Sequence, residues 1–189
     1  MTTGNLRWAE GLSEKAVRII DKLRRRYADH KPVRVLFVCL GNICRSPAAE
    51  GVMAAEIASH GDEDRWIVDS AGTGNYHIGQ LPDNRMRIHA RHRGYELTHR
   101  CRQVRESDFE DFDIIIGMDA QNLRNLKRIA PDTASEEKIV GMAEFFDHAT
   151  RYDYVPDPYY EGAEGFELVL DLLQGAVGKL YRAVTYEQD

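Results

Sequence analysis

Cysteine is scarce in this chain of 189 residues: there are only three, an odd number, and Cys39 and Cys44 lie five positions apart. That argues against a secreted disulfide framework and for a reducing compartment, so a cytoplasmic location is expected. Long apolar runs are missing too. The run at 35–40 is far too short to cross a bilayer, and no membrane span is expected. No basic-then-apolar leader opens the sequence, because residues 1–18 mix polar and apolar types throughout. Positive charge is in deficit, with 25 Lys and Arg against 31 Asp and Glu and a formal net charge of −6. Nucleic acid is therefore not an expected partner, and any anionic substrate must be drawn by local positive charge. None of the seven histidines is spaced with acids or cysteines as a metal site requires, so neither metal nor cofactor is expected. Internal repeats, low-complexity tracts and core-splitting linkers are also absent.

What is present is a globular composition, 43% hydrophobic and 30% charged, at a length suited to one domain with a real core. Residues 1–32 differ from the rest. Ala16, Ile19, Ile20, Leu23 and Tyr27 mark one face of a helix over 13–27, with Ser13 as its N-cap, and His30-Lys31-Pro32 breaks it. An isolated helix of that length is marginal in water, so its apolar stripe should pack against something, first of all its own domain.

Residues 33–189 read as that domain. The run at 33–38 is nearly all apolar and β-branched, as in a strand buried on both faces. Further strands are expected at 66–69, 112–117 and 138–140. Helices are expected at 45–58, 83–93, 119–129 and 166–184, with Asp119 capping the third of these. Alternating strands and helices make right-handed crossover units, hence an α/β three-layer sandwich around a parallel sheet.

In such a sheet, ligands collect at the carboxyl ends of strands beside a helix N-terminus. The stretch Cys39, Leu40, Gly41, Asn42, Ile43, Cys44, Arg45 and Ser46 occupies that place. Its backbone N–H groups and the helix dipole can hold one anion, Gly41 permits a tight turn, and Arg45 can grip two phosphate oxygens at once. A thiol placed there is favoured as thiolate and can attack a bound phosphate in line, with Ser46 able to donate to the sulfur. By itself Cys39 would read as a small core residue. Gly41, Asn42, Arg45, Ser46 and Pro47 in strand–loop–helix context point instead to a phosphate-binding loop after the first strand.

Val-Cys-Leu-Gly-Asn-Ile-Cys-Arg-Ser-Pro at 38–47 resembles the signature of the low-molecular-weight protein tyrosine phosphatases. The similarity continues through Asp69-Ser-Ala-Gly72, Arg102-Gln103, Met118-Asp119 and Asp157-Pro-Tyr159, and spans residues 33–184. It implies a four-stranded parallel sheet flanked by helices, and phosphotyrosine-containing proteins as partners. It also implies a phosphocysteine intermediate on Cys39. Asp157, between Pro156 and Pro158, reads by itself equally as a turn residue. The resemblance makes it the general acid, and then the base for the attacking water. Tyr159 and Tyr160 match the family's tandem tyrosines, and Tyr76 the aromatic on the opposite wall; without the resemblance such tyrosines read as caps on a core. Asn42 matches the residue that shapes the loop, tied by Ser70 and His99. Cys44 matches the partner in a reversible disulfide with the nucleophile, although a small buried residue is the plainer reading. Cys101 reads as structural.

Three other readings remain open. A thioredoxin-coupled arsenate reductase shares this loop but needs two further cysteines, and only Cys101 lies downstream. A phosphoarginine phosphatase of this family carries threonine where this chain has Ile43. A non-catalytic phosphotyrosine-binding module would need neither nucleophile nor acid. Arginines at 85, 87, 91, 93, 100, 102 and 105 suggest either a solvated helix face or a surface that steers acidic substrates. The sequence fixes no oligomeric state.

Overall fold

In the computed structural model, which describes residues 7–186, the apolar run Val33–Cys39 forms strand β1 inside a four-stranded sheet. Strand β2 (Trp66–Gly72) lies on one side of it, and β3 (Ile114–Gly117) and then β4 (Ile139–Gly141) on the other. All pairings are parallel, with Val35 opposite both Val68 and Ile114. Because strand side chains alternate between faces, β1 supplies two cores. Val33, Val35, Phe37 and Cys39 enter one, against helices α1 (Glu14–Ala28), α2 (Arg45–Ser59), α3 (Asn84–His92) and α7 (Ala163–Thr185). Leu36 and Val38 enter the other, with Phe109 of α4 (Asp108–Asp111) and Leu126 of α5 (Ala120–Ile129). Three layers result. None of the described helices is long and apolar enough to cross a membrane.

Boundaries move where tertiary pairing outweighs local preference. Strand β2 runs to Gly72 rather than stopping at Asp69, because Ser70, Ala71 and Gly72 pair with Phe37, Val38 and Cys39 despite weak strand propensity. Strand β3 starts at Ile114, not Phe112, whose N–H closes α4 on the Asp108 carbonyl. The short helices α4 and α6 (Thr133–Glu136) are too brief to show a periodic pattern, and the sequence reading misses both.

Helix α1 packs on its own domain. Ser13 caps it, accepting from the Ala16 N–H at 3.2 Å, and Ala16, Ile19, Ile20 and Leu23 join the core that holds α7. Arg24 donates to the carbonyls of Ala183 and Tyr186, each at 2.7 Å. The Tyr27 hydroxyl reaches the buried carboxylate of Asp62, which also receives Trp66 Nε1 (2.9 Å) and the Tyr181 hydroxyl (3.1 Å). A buried carboxylate is tolerated when it is hydrogen-bonded this fully, so Asp62 ties α1, the approach to β2 and α7 together.

The chain leaves β1 through α2 to β2, then crosses to β3 on the opposite side of β1. This reversal opens a crevice at the carboxyl ends of β1 and β3, and the segment joining β1 to α2 sits in it.

Candidate active site

Cys39 ends β1 and Arg45 begins α2, so residues 40–44 must turn the chain within five positions. Asn42 makes that turn in the left-handed region, at φ 55°. Among the described residues, no backbone N–H from 41 to 46 finds a protein acceptor, and no side chain caps α2. Unpaired donors at a helix start are a ready anion site. The loop also presses on β2: a Cβ at Gly72 would lie 2.7 Å from the Leu40 carbonyl oxygen, so only glycine fits there. Thr73 and Gly74 hold the loop from that side by donating to the carbonyls of Cys39 and Leu40.

Asn42 is fully buried, and its side chain is fully bonded. Its amide nitrogen donates to Ser46 Oγ and Ser70 Oγ, each at 2.9 Å, and its oxygen accepts from His99 Nε2 (3.0 Å) and the Arg102 N–H (2.9 Å). These bonds offset the cost of a left-handed non-glycine residue. Ser70 in turn donates to Glu50 at 2.6 Å. Glu50, Asp69 and His99 are the one group of metal-ligand type found among the described residues, but each is engaged with protein. His99 Nδ1 lies 3.3 Å from Glu50 and 3.4 Å from Asp69, and Arg102 bridges Asp69 and Asp108. The cluster reads as the loop's foundation.

Cys39 Sγ lies 3.1 Å from Ser46 Oγ, and Cys39 lines a cavity of about 290 Å³. Leu40, Gly41, Ile43, Cys44 and Arg45 line this cavity together with Tyr76, His77, Asp157, Tyr159 and Tyr160. Tyr76 (69% exposed) and Tyr160 (93%) stand at the mouth, whereas Tyr159 (37%) is set deeper. Arg85 holds Tyr159 in place by stacking on its ring and donating to its carbonyl at 3.0 Å. Ser70 and His99 do not touch the cavity; they act on it through Asn42.

Arg45 is 3% exposed. One guanidinium nitrogen donates to Asp119 Oδ2 at 2.6 Å and to the Val155 carbonyl at 3.1 Å, and the other lies 3.4 Å from Asp157 Oδ2. Burial opposes its charge, but Cys39, Asp119 and Asp157 outweigh that and hold the guanidinium more firmly protonated than usual. Burial, with Asp83, Cys39 and Asp157 adding to it, pushes the Cys44 thiol up, which disfavours its thiolate as a rival to Cys39 for a bound phosphate. Burial also raises Cys101, to about 11, and its thiol donates to the Asn42 carbonyl.

Sequence reasoning missed three contributors. Asp119 gave a helix-cap signal, and it does cap α5 in a box with Asn122, yet its second oxygen grips Arg45. His77 gave no signal at all. Its ring lies where a Cβ on Gly41 would meet it at 3.1 Å. Arg102 reads from sequence as part of a motif and of the arginine cluster, whereas its backbone N–H and side chain both serve the foundation beneath Asn42. Four of the seven arginines of the suspected surface are neutralised: Arg85, Arg91, Arg93 and Arg102 are paired with Asp83, Glu96, Glu167 and Asp108.

The family model of the low molecular weight phosphotyrosine protein phosphatases matches residues 34–189. The low molecular weight phosphotyrosine protein phosphatase of Schizosaccharomyces pombe is 43% identical over 137 residues, covering 72% of this chain and 86% of that protein. A low molecular weight protein-tyrosine-phosphatase of Streptomyces coelicolor is 40% identical over 152 residues, covering 80% and 93%. Among solved structures, the protein tyrosine phosphatase from Entamoeba histolytica with Hepes in its active site superposes with a TM-score of 0.76. It is 45% identical and covers 79% of this chain and 94% of its own. With sequence, fold and loop in agreement, the chain belongs to the low molecular weight phosphotyrosine protein phosphatase family and is a hydrolase of that kind.

Proposed function

We propose that this protein removes phosphate from tyrosine in other proteins through a phosphocysteine on Cys39. The observation that carries the reading is the meeting of Cys39, Arg45, Asp157 and the tyrosines in one cavity, lined by a loop whose N–H groups from 41 to 46 have no protein acceptor among the described residues. The phosphate dianion binds residues 40–46 and Arg45 while the phenyl ring lies between Tyr159 and Tyr76. Cys39 Sγ attacks phosphorus as the bond to the phenolic oxygen breaks, and Asp157 gives that oxygen its proton. Asp157, now a carboxylate, takes a proton from water. The water oxygen attacks phosphorus, the S–P bond breaks, and the Ser46 hydroxyl stabilises the departing thiolate. Ile43 lines the cavity with an aliphatic side chain, which supports tyrosine over phosphoarginine.

The Asp157→Asn protein tests the assignment of the acid. Its turnover of phenyl phosphate should fall on the order of 10²–10⁴-fold. The loss should shrink as the leaving phenol becomes more acidic, because a good leaving group needs no proton. An equal loss across a series of aryl phosphates would leave Asp157 a purely structural role.

Cys44 shares the cavity with Cys39, which supports a reversible disulfide between them after peroxide has oxidised Cys39 to its sulfenic acid. Mass spectrometry of peroxide-treated protein should find this disulfide, and sulfinic or sulfonic acid alone on Cys39 would dismiss it. Three free, buried thiols also support a cytoplasmic setting.

Residues 1–32 supply none of these groups, and none of the described ones, from residue 7 on, lines the cavity. Deleting residues 1–30 should lower the melting temperature, since it uncovers the partners of Ile19, Ile20 and Leu23, yet leave p-nitrophenyl phosphate turnover in place. Loss of turnover in a truncated protein that remains folded would make the extension part of the active site.

A further inference from the structure

A second cavity, of about 340 Å³, opens at the carboxyl ends of β3 and β4 on the far side of Asp119. Its lining includes Asp119, Leu123, Met142, Asp153 and Tyr154. The two cavities share a wall, because Asp119 borders this one, Arg45 borders the first, and the pair is bonded at 2.6 Å. Leu123 forms the floor by filling the space above the glycines that end both strands. A Cβ at Gly117 would lie 2.8 Å from Leu123 Cδ2.

The chemistry of the lining selects an occupant. Both oxygens of Asp119 are taken, by Arg45 and by the Asn122 N–H. Asp153 is exposed, and its carboxylate meets no basic group among the described residues. Beside it stands the half-exposed ring of Tyr154. An aliphatic floor, an aromatic face and an unpaired carboxylate at the rim together fit a long basic side chain. The methylenes of such a chain lie along apolar surface while its charge meets a carboxylate or an aromatic face. No lysine, arginine or histidine among the described residues lines this cavity, and the chain's net charge is −6, so a cation meets no like charge in the lining.

We propose that this cavity is a substrate subsite for a lysine or arginine side chain near the phosphotyrosine, an inference that rests on the phosphotyrosine reading above. Its reach follows from the chain itself. Asp153 and Asp157, one at each cavity, are four residues apart, so at most about 14 Å of backbone separates them. An extended peptide covers that distance in about four residues, which places the basic residue within four positions of the phosphotyrosine.

The test is a set of phosphotyrosine peptides with alanine flanks and one lysine moved through the four positions on either side. Values of kcat/KM are measured for the native protein, Asp153→Asn and Tyr154→Ala, with p-nitrophenyl phosphate as control. The native protein should prefer lysine at one or two positions by about twofold to fivefold, the range of a partly exposed ion pair. The preference should fade with added salt and vanish in Asp153→Asn, while p-nitrophenyl phosphate turnover stays unchanged in both variants. Equal rates for all lysine and alanine peptides, or a preference that survives Asp153→Asn, would overturn the subsite. Failure to hydrolyse any peptide while p-nitrophenyl phosphate is turned over would strike the phosphotyrosine reading itself, and the subsite with it.

Discussion

Replacing Cys39 with serine should abolish turnover, by on the order of 10⁴–10⁶-fold, as removal of a covalent nucleophile does in other enzymes. Binding of vanadate or phosphate should survive. The two effects separate because they belong to different atoms. Attack needs a sulfur that is nucleophilic as the thiolate, and a serine hydroxyl stays protonated near neutrality. Binding needs the N–H groups of residues 41–46 and the Arg45 guanidinium, none of which the substitution touches. Serine is also smaller than cysteine, so the loop should keep its shape around the Asn42 bonds. Steady-state rates and calorimetric titration with vanadate check both halves. Substantial turnover by the serine protein would remove the covalent mechanism altogether.

The site was legible in the sequence to the extent that its chemistry is local. Cys39, Gly41, Asn42, Arg45 and Ser46 fall within eight consecutive positions, and strand–loop–helix context sufficed to read them as one anion-binding unit. Asp157 was ambiguous locally, because a proline-flanked aspartate is also a turn residue. Asp119 was hidden for a different reason. Its capping box with Asn122 is a strong local signal that fully explains an aspartate there, and the contact to Arg45 joins residues 74 positions apart. Nothing in the local pattern shows the second role. The same holds for the fold. The apolar stripe of α1 was visible, but its attachment through Tyr27, Asp62 and Tyr181 joins three distant elements. Strand β2 extends past the expected Asp69 because Ser70, Ala71 and Gly72 owe their extended form to β1 rather than to their own preference.

Asp119 also determines what should happen when Arg45 is changed to lysine, a substitution that keeps the charge. The expected loss in kcat/KM is on the order of 10³–10⁵-fold, the range found for arginines that stabilise a transferring phosphoryl group. Charge alone is not what Arg45 supplies. Its nearly inaccessible guanidinium is fixed by Asp119 and the Val155 carbonyl on one nitrogen, which leaves Nε and the other terminal nitrogen, 3.4 Å from Asp157, as a planar fork for phosphate oxygens. Two parallel N–H donors can follow two equatorial oxygens as charge spreads over them in the transition state. An ammonium on a flexible stem has no such plane. It would also be drawn to Asp119, because that carboxylate loses its 2.6 Å partner and sits beside a buried position. Lysine at 45 should therefore weaken vanadate binding as well as turnover, whereas serine at 39 removes turnover alone. Asp119→Asn, which keeps Arg45 but loosens its seat, should fall between the native and lysine proteins in rate. Should the lysine protein keep its rate within about tenfold of native, point charge and not the oriented fork would be what the loop requires.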